Sequence, residues 1–233
     1  MKRTAELKYR PLGRTLEVIS SDFPIRLQMR NDLHLARKFW HMGMGIVVAG
    51  IYQSGLATGL SLAILMSVLA FSLIMETLRL RNPVLNQILI KVWGPVMRSC
   101  EVNRYTGIPF YLASSIVAIA AFPRPVAVLS ILFLACGDPI ASLVGILYGD
   151  KSIRFSNGKS LLGTLAGVVT CVLVAFFYLR SMSFTPAQSV ILSLVGGIAG
   201  GTVELIPLDM DDNFTIPVLS GFILWFAFIF LGL

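Results

Sequence analysis

Seven long apolar runs leave this chain few folds other than a bundle of membrane helices. Most of them approach the roughly 20 residues that a helix needs to cross about 30 Å of hydrocarbon. Backbone groups in lipid must bond within the chain, so helices are expected. The sequence therefore predicts an all-α fold, a polytopic membrane helix bundle of about seven transmembrane helices. The runs cover residues 42–54, 56–76, 107–122, 126–148, 161–179, 187–207 and 215–232.

Composition excludes most soluble classes. The chain is 56% hydrophobic and 13% charged. In soluble domains about half of the residues are apolar and about a quarter are charged. The net charge of +7 fits the basic cytosolic loops of membrane proteins. The charges are not interleaved with aromatic residues, so we expect no nucleic-acid partner. We divide the chain into a basic cytosolic or interfacial segment, 1–38, and a membrane-embedded domain, 39–233.

The basic residues also predict an orientation in the lipid bilayer. With the N-terminus in the cytosol, only Arg124 and Arg180 of the 19 lysines and arginines face the other side. Basic residues collect on the cytosolic side of membrane proteins. We therefore expect a multi-pass protein with a cytosolic N-terminus and the C-terminus on the opposite side. The acidic loop at residues 209–212 then faces the cytosol as well.

Asp138 lies deep inside the fourth apolar run, within Gly137-Asp138-Pro139. A carboxylate at this depth is costly and indicates a functional site. Proline disfavours helix for the residue before it and suits the first position of a new helix. We therefore predict a broken helix at Gly137-Asp138-Pro139, with Asp138 as the N-cap of its second half. Asp138 then either only caps that helix or binds a metal ion or substrate proton in a polar cavity.

Two basic clusters suit a phosphate-bearing ligand. Arg37, Lys38 and His41 share one helix face at the start of the first run, and Arg with Lys suits a polyphosphate. The alternative is an anchor for lipid headgroups. The second cluster is a Gly/Lys/Ser turn at Lys159 and Ser160, where a helix N-terminus favours an anion. It is not a P-loop, because that motif needs glycine at position 153, and an ordinary cytosolic loop is the alternative.

An acidic cluster near the end of the chain suits a divalent cation. Glu204 falls at the end of the sixth run, and Asp211, Asp212 and Asn213 follow in the next loop. Carboxylate and amide oxygens are hard ligands suited to Mg²⁺, which also binds phosphate. The alternative is a solvated acidic loop. Together with the basic clusters, these residues indicate phosphoryl or nucleotidyl transfer onto a lipid at the cytosolic interface.

Four sequence motifs combine the residues described above. They are Arg37-Lys38-x-x-His41, Gly137-Asp138-x-x-Ala141-x-x-x-Gly145-x-x-x-Gly149, Lys159-Ser160-x-x-Gly163 and Asp211-Asp212-Asn213-Phe214-Thr215-Ile216-Pro217-Val218. Together they resemble the motifs of the CTP-dependent lipid-alcohol kinases, a family that includes dolichol, phytol and yeast-type diacylglycerol kinases. The yeast-type branch is the most similar, through Arg79-Leu80-Arg81-x-Pro83 and Met97-Arg98-x-x-Glu101-x-x-x-Tyr105-x-Gly107. The resemblance runs from about residue 36 to residue 220. The second motif is also similar to that of phosphatidate cytidylyltransferase.

The resemblance implies transfer of the CTP γ-phosphate to a lipid hydroxyl, giving phosphatidate when the lipid is diacylglycerol. It makes 39–233 a catalytic domain with Mg²⁺ as cofactor and CTP and a membrane lipid alcohol as partners. The catalytic residues it implies are Asp138, Lys38 and Arg37. The nucleotide would be bound by Arg37, Lys38, His41, Gly145, Lys151, Lys159 and Ser160, and the metal by Asp138, Asp211, Asp212, Asn213 and Glu204. Gly145 would admit either the phosphates or a neighbouring helix.

Other functions stay open at this point. Diacylglycerol leads as acceptor, with polyprenol, dolichol and phytol as alternatives. A cytidylyltransferase would make a CDP-lipid and release pyrophosphate instead of CDP. An ion-coupled transporter would use Asp138 and Glu204 at membrane depth. A non-catalytic membrane scaffold would leave Asp138 unexplained.

Overall fold

The computed structural model describes residues 8–12, 15–20, 23–28 and 33–233. The rest of the predicted basic segment lies outside the described residues. By its internal contacts the chain forms two compact units. The first comprises Met1–Trp40 and Phe71–Thr106, and the second His41–Ala70 and Gly107–Leu233. The domain boundary predicted at residue 38 stays a prediction.

From residue 33 onward the described chain is helical, as predicted, whereas the three short strands before it were not predicted. The strands are β1 (Lys8–Leu12), β2 (Thr15–Ser20) and β3 (Phe23–Gln28). The helices are α1 (Leu35–Gln53), α2 (Thr58–Arg81), α3 (Pro83–Trp93), α4 (Gly107–Ala121), α5 (Arg124–Leu132), α6 (Asp138–Tyr148), α7 (Leu161–Ser181), α8 (Pro186–Thr202) and α9 (Asp212–Phe230).

In the first unit the strands form an antiparallel sheet in the order β1-β2-β3. The helical part of this unit is organised around Arg79, which is 2% exposed. Its guanidinium donates to both carboxylate oxygens of Glu76 and to the carbonyls of Glu101, Val102 and Arg104. A buried charge is tolerated only when it is paired and hydrogen-bonded. Arg79 therefore ties the loop at residues 101–104 to α2.

Glycines allow the helices of the second unit to pack closely. A Cβ on Gly197 or Gly201 of α8 would collide with the backbone of α7 at Val172 or Val168. A Cβ on Gly163 of α7 would meet the Ala141 carbonyl of α6 at 2.7 Å. Association of helices in lipid depends on such close packing rather than on exclusion of water. The three helices are therefore held at short separation.

Five helical segments are long and apolar enough to cross a membrane, by length and composition: Thr58–Arg81, Arg124–Lys151, Leu161–Ser181, Pro186–Leu205 and Asp212–Phe230. They make the chain a multi-pass membrane protein. The predicted count of seven is not confirmed. The 15 residues of α4 rise only about 22 Å, and α1 carries Arg37, Lys38 and His41 in its first two turns. The orientation of the termini stays a prediction.

The predicted break at Gly137-Asp138-Pro139 is not found. Asp138 has helical dihedral angles, φ −60° and ψ −48°, so it is not an extended N-cap. A π-helical turn, Phe133–Gly137, instead joins α5 to α6 in one segment. A π turn is wider than an α-helical turn. It therefore accommodates the ring of Pro139, which would clash with a carbonyl of a regular α-helix.

Candidate active site

The second unit brings three carboxylates together at helix ends. Asp138 begins α6, Glu204 lies in a short 3-10 turn after α8, and Asp212 begins α9. One oxygen of each lies within 4.8 Å of the others. Glu204 is buried, and the other two are half-buried. The predicted metal ligands Asp138, Glu204 and Asp212 therefore do converge, and three hard oxygens so close together suit a divalent cation.

Lys159 supplies the positive charge beside this carboxylate cluster. Its Nζ donates to Glu204 Oε2 at 2.7 Å and to Asp212 Oδ2 at 2.9 Å. Burial on its own would lower the pKa of Lys159, but the charges of Glu204, Asp138 and Asp212 outweigh it and raise the pKa above its usual value. A lysine whose pKa is raised by folding keeps its charge until the pH exceeds that value. The Lys159 ammonium group therefore stays charged across the neutral range.

Two neutral side chains hold Glu204 in place, and neither was predicted as a site residue. Thr164 Oγ1 donates to Glu204 Oε1 at 3.3 Å, and Asn157 Nδ2 donates to the Glu204 carbonyl at 3.1 Å. The sequence offered one signal for them. Both lie within five residues of Lys159, in the polar turn that precedes α7 and in its first turn.

Asp211 and Asn213 have structural roles at the start of α9. Asp211 is the N-cap, because its Oδ1 accepts the Asn213 N–H at 2.9 Å. The buried Asn213 donates its Nδ2 to the Gly107 carbonyl at 3.4 Å, and its own carbonyl accepts from Ser114 at 2.7 Å. Together these contacts fix the helix end that carries Asp212. Metal ligation by Asp211 and Asn213 stays a prediction.

The residues predicted to bind the nucleotide around α7 are partly explained by packing. Ser160 is the buried N-cap of α7, and its Oγ accepts the Gly163 N–H at 3.1 Å. A Cβ on Gly145 would lie 3.1 Å from that same Oγ. This favours the packing alternative for Gly145. Lys151 is exposed in the turn after α6. Nucleotide contacts of these residues stay predictions.

His41 lies against the π turn. Its Nε2 is 3.2 Å from the carbonyl oxygen of Leu134. Its ring meets that of Tyr111 edge-on, with 4.9 Å between centroids. The Tyr111 hydroxyl packs directly on Gly45, one turn further along α1. Tyr111 was not among the predicted residues, because nothing in the sequence places it beside His41.

Arg37 and Lys38 belong to the first unit. Arg37 Nη1 donates to Glu101 Oε1 at 2.9 Å, and both side chains are largely buried. The other carboxylate oxygen of Glu101 accepts the Arg98 N–H at 2.8 Å. Glu101 belongs to the motif that begins at Met97, for which the sequence predicted no role. Its ion pair with Arg37 shows that it holds the Arg37 side chain. Lys38 is half-buried in the first turn of α1.

These features define a helical membrane protein with a carboxylate cluster that fits a divalent cation. The chain is 34% identical to a CTP-dependent diacylglycerol kinase of Eremothecium gossypii, over 79% of the chain and 64% of the relative's length. It is 32% identical to the enzyme of that name in Schizosaccharomyces pombe, over 64% of the chain and 73% of the relative. The chain therefore belongs to the family of CTP-dependent diacylglycerol kinases.

A plant relative is more distant. A chloroplastic farnesol kinase of Arabidopsis thaliana is 30% identical over 50% of the chain and 42% of its own length. No family model matches the chain. No solved structure matches it either.

Proposed function

We propose that this protein transfers the γ-phosphate of CTP to the hydroxyl of a membrane lipid alcohol. Diacylglycerol is the first candidate acceptor, and phosphatidate and CDP are then the products. The relatives named as CTP-dependent diacylglycerol kinases support this proposal. The structural observation that carries it is the convergence of Asp138, Glu204 and Asp212 beside Lys159. We place this site on the cytosolic side of the membrane, where CTP is available.

The carboxylate cluster is the proposed Mg²⁺ site. Asp138, Glu204 and Asp212 would hold the ion, and their three close oxygens match its preference for hard ligands. When bound, Mg²⁺ neutralises charge on the phosphate oxygens. Lys159 limits repulsion among the carboxylates, because its ammonium group contacts two of them. The cluster is therefore already organised for a cation.

Positioning of the two substrates is the remaining task of the protein. Phosphoryl transfer depends mainly on alignment and charge neutralisation. Arg37 and Lys38 are proposed to bind the triphosphate, and the ion pair with Glu101 restricts the rotamers of Arg37 in advance. The lipid oxygen forms a bond to the γ-phosphorus as the bond to the β-phosphate oxygen breaks. CDP leaves, and the lipid hydroxyl releases its proton.

An isoprenoid alcohol is the second candidate acceptor. The similarity to a farnesol kinase supports it, and an apolar groove that places one hydroxyl would look alike for either lipid. A cytidylyltransferase is distinguished by its products, since it would release pyrophosphate and leave the cytidylyl group on the lipid.

The test is a transfer assay with two labels. Purified protein in mixed micelles receives Mg²⁺, one lipid acceptor (diacylglycerol, farnesol or, for the cytidylyltransferase alternative, phosphatidate), and CTP labelled in either the γ- or the α-phosphate. We expect the γ-label in phosphatidate, an equal amount of CDP, and no α-label in lipid. Substitution of ATP for CTP gives the donor preference. Label from the α-phosphate in the lipid would replace the kinase proposal by a cytidylyltransferase, and no transfer of either label to any acceptor would refute both.

A further inference from the structure

The π turn before Asp138 contains a carbonyl whose partner in a π-helical hydrogen bond has no N–H. In a π turn each carbonyl pairs with the N–H five residues later. For Leu134 that residue is Pro139, which has no N–H. Leu134 is fully buried, and an unpaired carbonyl inside a membrane protein is costly. A side chain of another helix can replace the missing donor.

His41 of α1 is that donor. Its Nε2 lies 3.2 Å from the Leu134 oxygen, and because a carbonyl can only accept, Nε2 carries the hydrogen. The edge-on ring of Tyr111 fixes the orientation of the imidazole. A second π-turn carbonyl, that of Phe133, accepts from the thiol of Cys171 on α7 at 3.8 Å. Side chains of two other helices thus hold the turn that precedes Asp138.

We propose that His41 is a positioning residue for Asp138. It replaces the hydrogen bond that Pro139 cannot make and so stabilises the π turn that aims the Asp138 carboxylate toward Glu204 and Asp212. The sequence instead predicted that His41 helps to bind the nucleotide. The two roles have different kinetic signatures. A positioning residue mainly affects kcat, whereas a nucleotide contact made before the chemical step affects the KM for CTP. The kinetic part rests on the proposed kinase activity.

Restoring the missing N–H should make His41 dispensable. The experiment compares wild type with His41→Leu, Pro139→Ala and the double variant. We expect His41→Leu to lower kcat by about 10- to 100-fold, the range seen when a supporting partner of a metal ligand is removed, with KM for CTP changed less than about 3-fold. Alanine at position 139 offers an N–H to Leu134. The kcat of the double variant should therefore lie within about 3-fold of the kcat of Pro139→Ala.

Hydrogen–deuterium exchange of residues 133–143 provides a readout that needs neither CTP nor metal. We expect faster exchange in His41→Leu and near-wild-type exchange in the double variant. His41→Gln, which keeps a side-chain N–H, should lie between wild type and His41→Leu. A His41→Leu protein with raised KM and unchanged kcat, or a double variant no better than His41→Leu in exchange and kcat, would overturn the inference. If wild type transfers no phosphate from CTP while the exchange pattern holds, the kinase proposal fails and the role of His41 in the turn stands.

Discussion

Replacement of Asp138 by asparagine should reduce turnover by about 10²- to 10³-fold, a loss typical of removing one preorganised group that stabilises the transition state. The substitution keeps the size of the side chain but removes the charge from one corner of the carboxylate cluster. The protein should still fold, because loss of one charge relieves repulsion from Glu204 and Asp212. The measurement is kcat with CTP and diacylglycerol at saturating Mg²⁺, together with the thermal unfolding midpoint in detergent.

Asp150→Asn is the matched control. The Asp150 carboxylate lies just beyond α6, is 91% exposed and pairs directly with Arg154 at 2.7 Å on the protein surface. Exposed pairs of this kind contribute little, so this variant should keep turnover within about 3-fold of wild type. Turnover of Asp138→Asn equal to that of Asp150→Asn would remove Asp138 from the catalytic assignment.

Removal of the charge of Lys159 should both destabilise the protein and lower its activity. Lys159→Met keeps the apolar stem but leaves Glu204 and Asp212 without their ammonium partner. Breaking a buried ion pair costs about 3–5 kcal/mol, and partial exposure of Asp212 reduces the expected loss to roughly 2 kcal/mol. For a chain of this length that lowers the thermal midpoint by about 4–8 °C. Millimolar Mg²⁺ should restore part of the loss, because a bound cation would offset the same repulsion.

Arg154→Met in the same loop is the control for Lys159→Met. Its ion pair with Asp150 is exposed, so the midpoint should shift by less than about 2 °C, with or without Mg²⁺. Equal shifts in the two variants would show that Lys159 has no special relation to the carboxylates. If the thermal midpoint of Lys159→Met does not change when Mg²⁺ is added, that result would argue against a cation in the cluster.

The helices were predictable because membrane depth demands long apolar runs and internal backbone bonding. The sequence correctly indicated an irregular helix near Asp138, but the prediction of a broken helix was wrong. Pro139 indicated a break in the helix. The structure instead has a continuous helix with a π turn before Asp138, and His41 donates to the Leu134 carbonyl of that turn. That solution depends on a partner 93 positions away in the chain. No local pattern could have indicated it.

The carboxylate cluster was predicted in part. Charge at membrane depth pointed to Asp138 and Glu204, and the acidic loop supplied Asp212. The same loop contains Asp211, which sequence alone could not separate from Asp212. In the structure Asp211 caps α9, and Asp212 lies with Asp138 and Glu204 in the cluster. The capping role of Asp211 depends on where α9 begins, which the sequence did not determine to the residue.

Direct detection of the cation tests the central claim, that carboxylates from three helix ends hold the metal of the nucleotide. Mn²⁺ can be titrated into purified wild-type protein with CTP and followed by electron paramagnetic resonance. Asp138→Asn, Glu204→Gln and Asp212→Asn are measured alongside, with Asp150→Asn as control. We expect one Mn²⁺ per chain, displaced by Mg²⁺, with affinity weakened at least about 10-fold in all three cluster variants and unchanged in the control. Equal Mn²⁺ affinity in wild type and all three cluster variants would contradict the account.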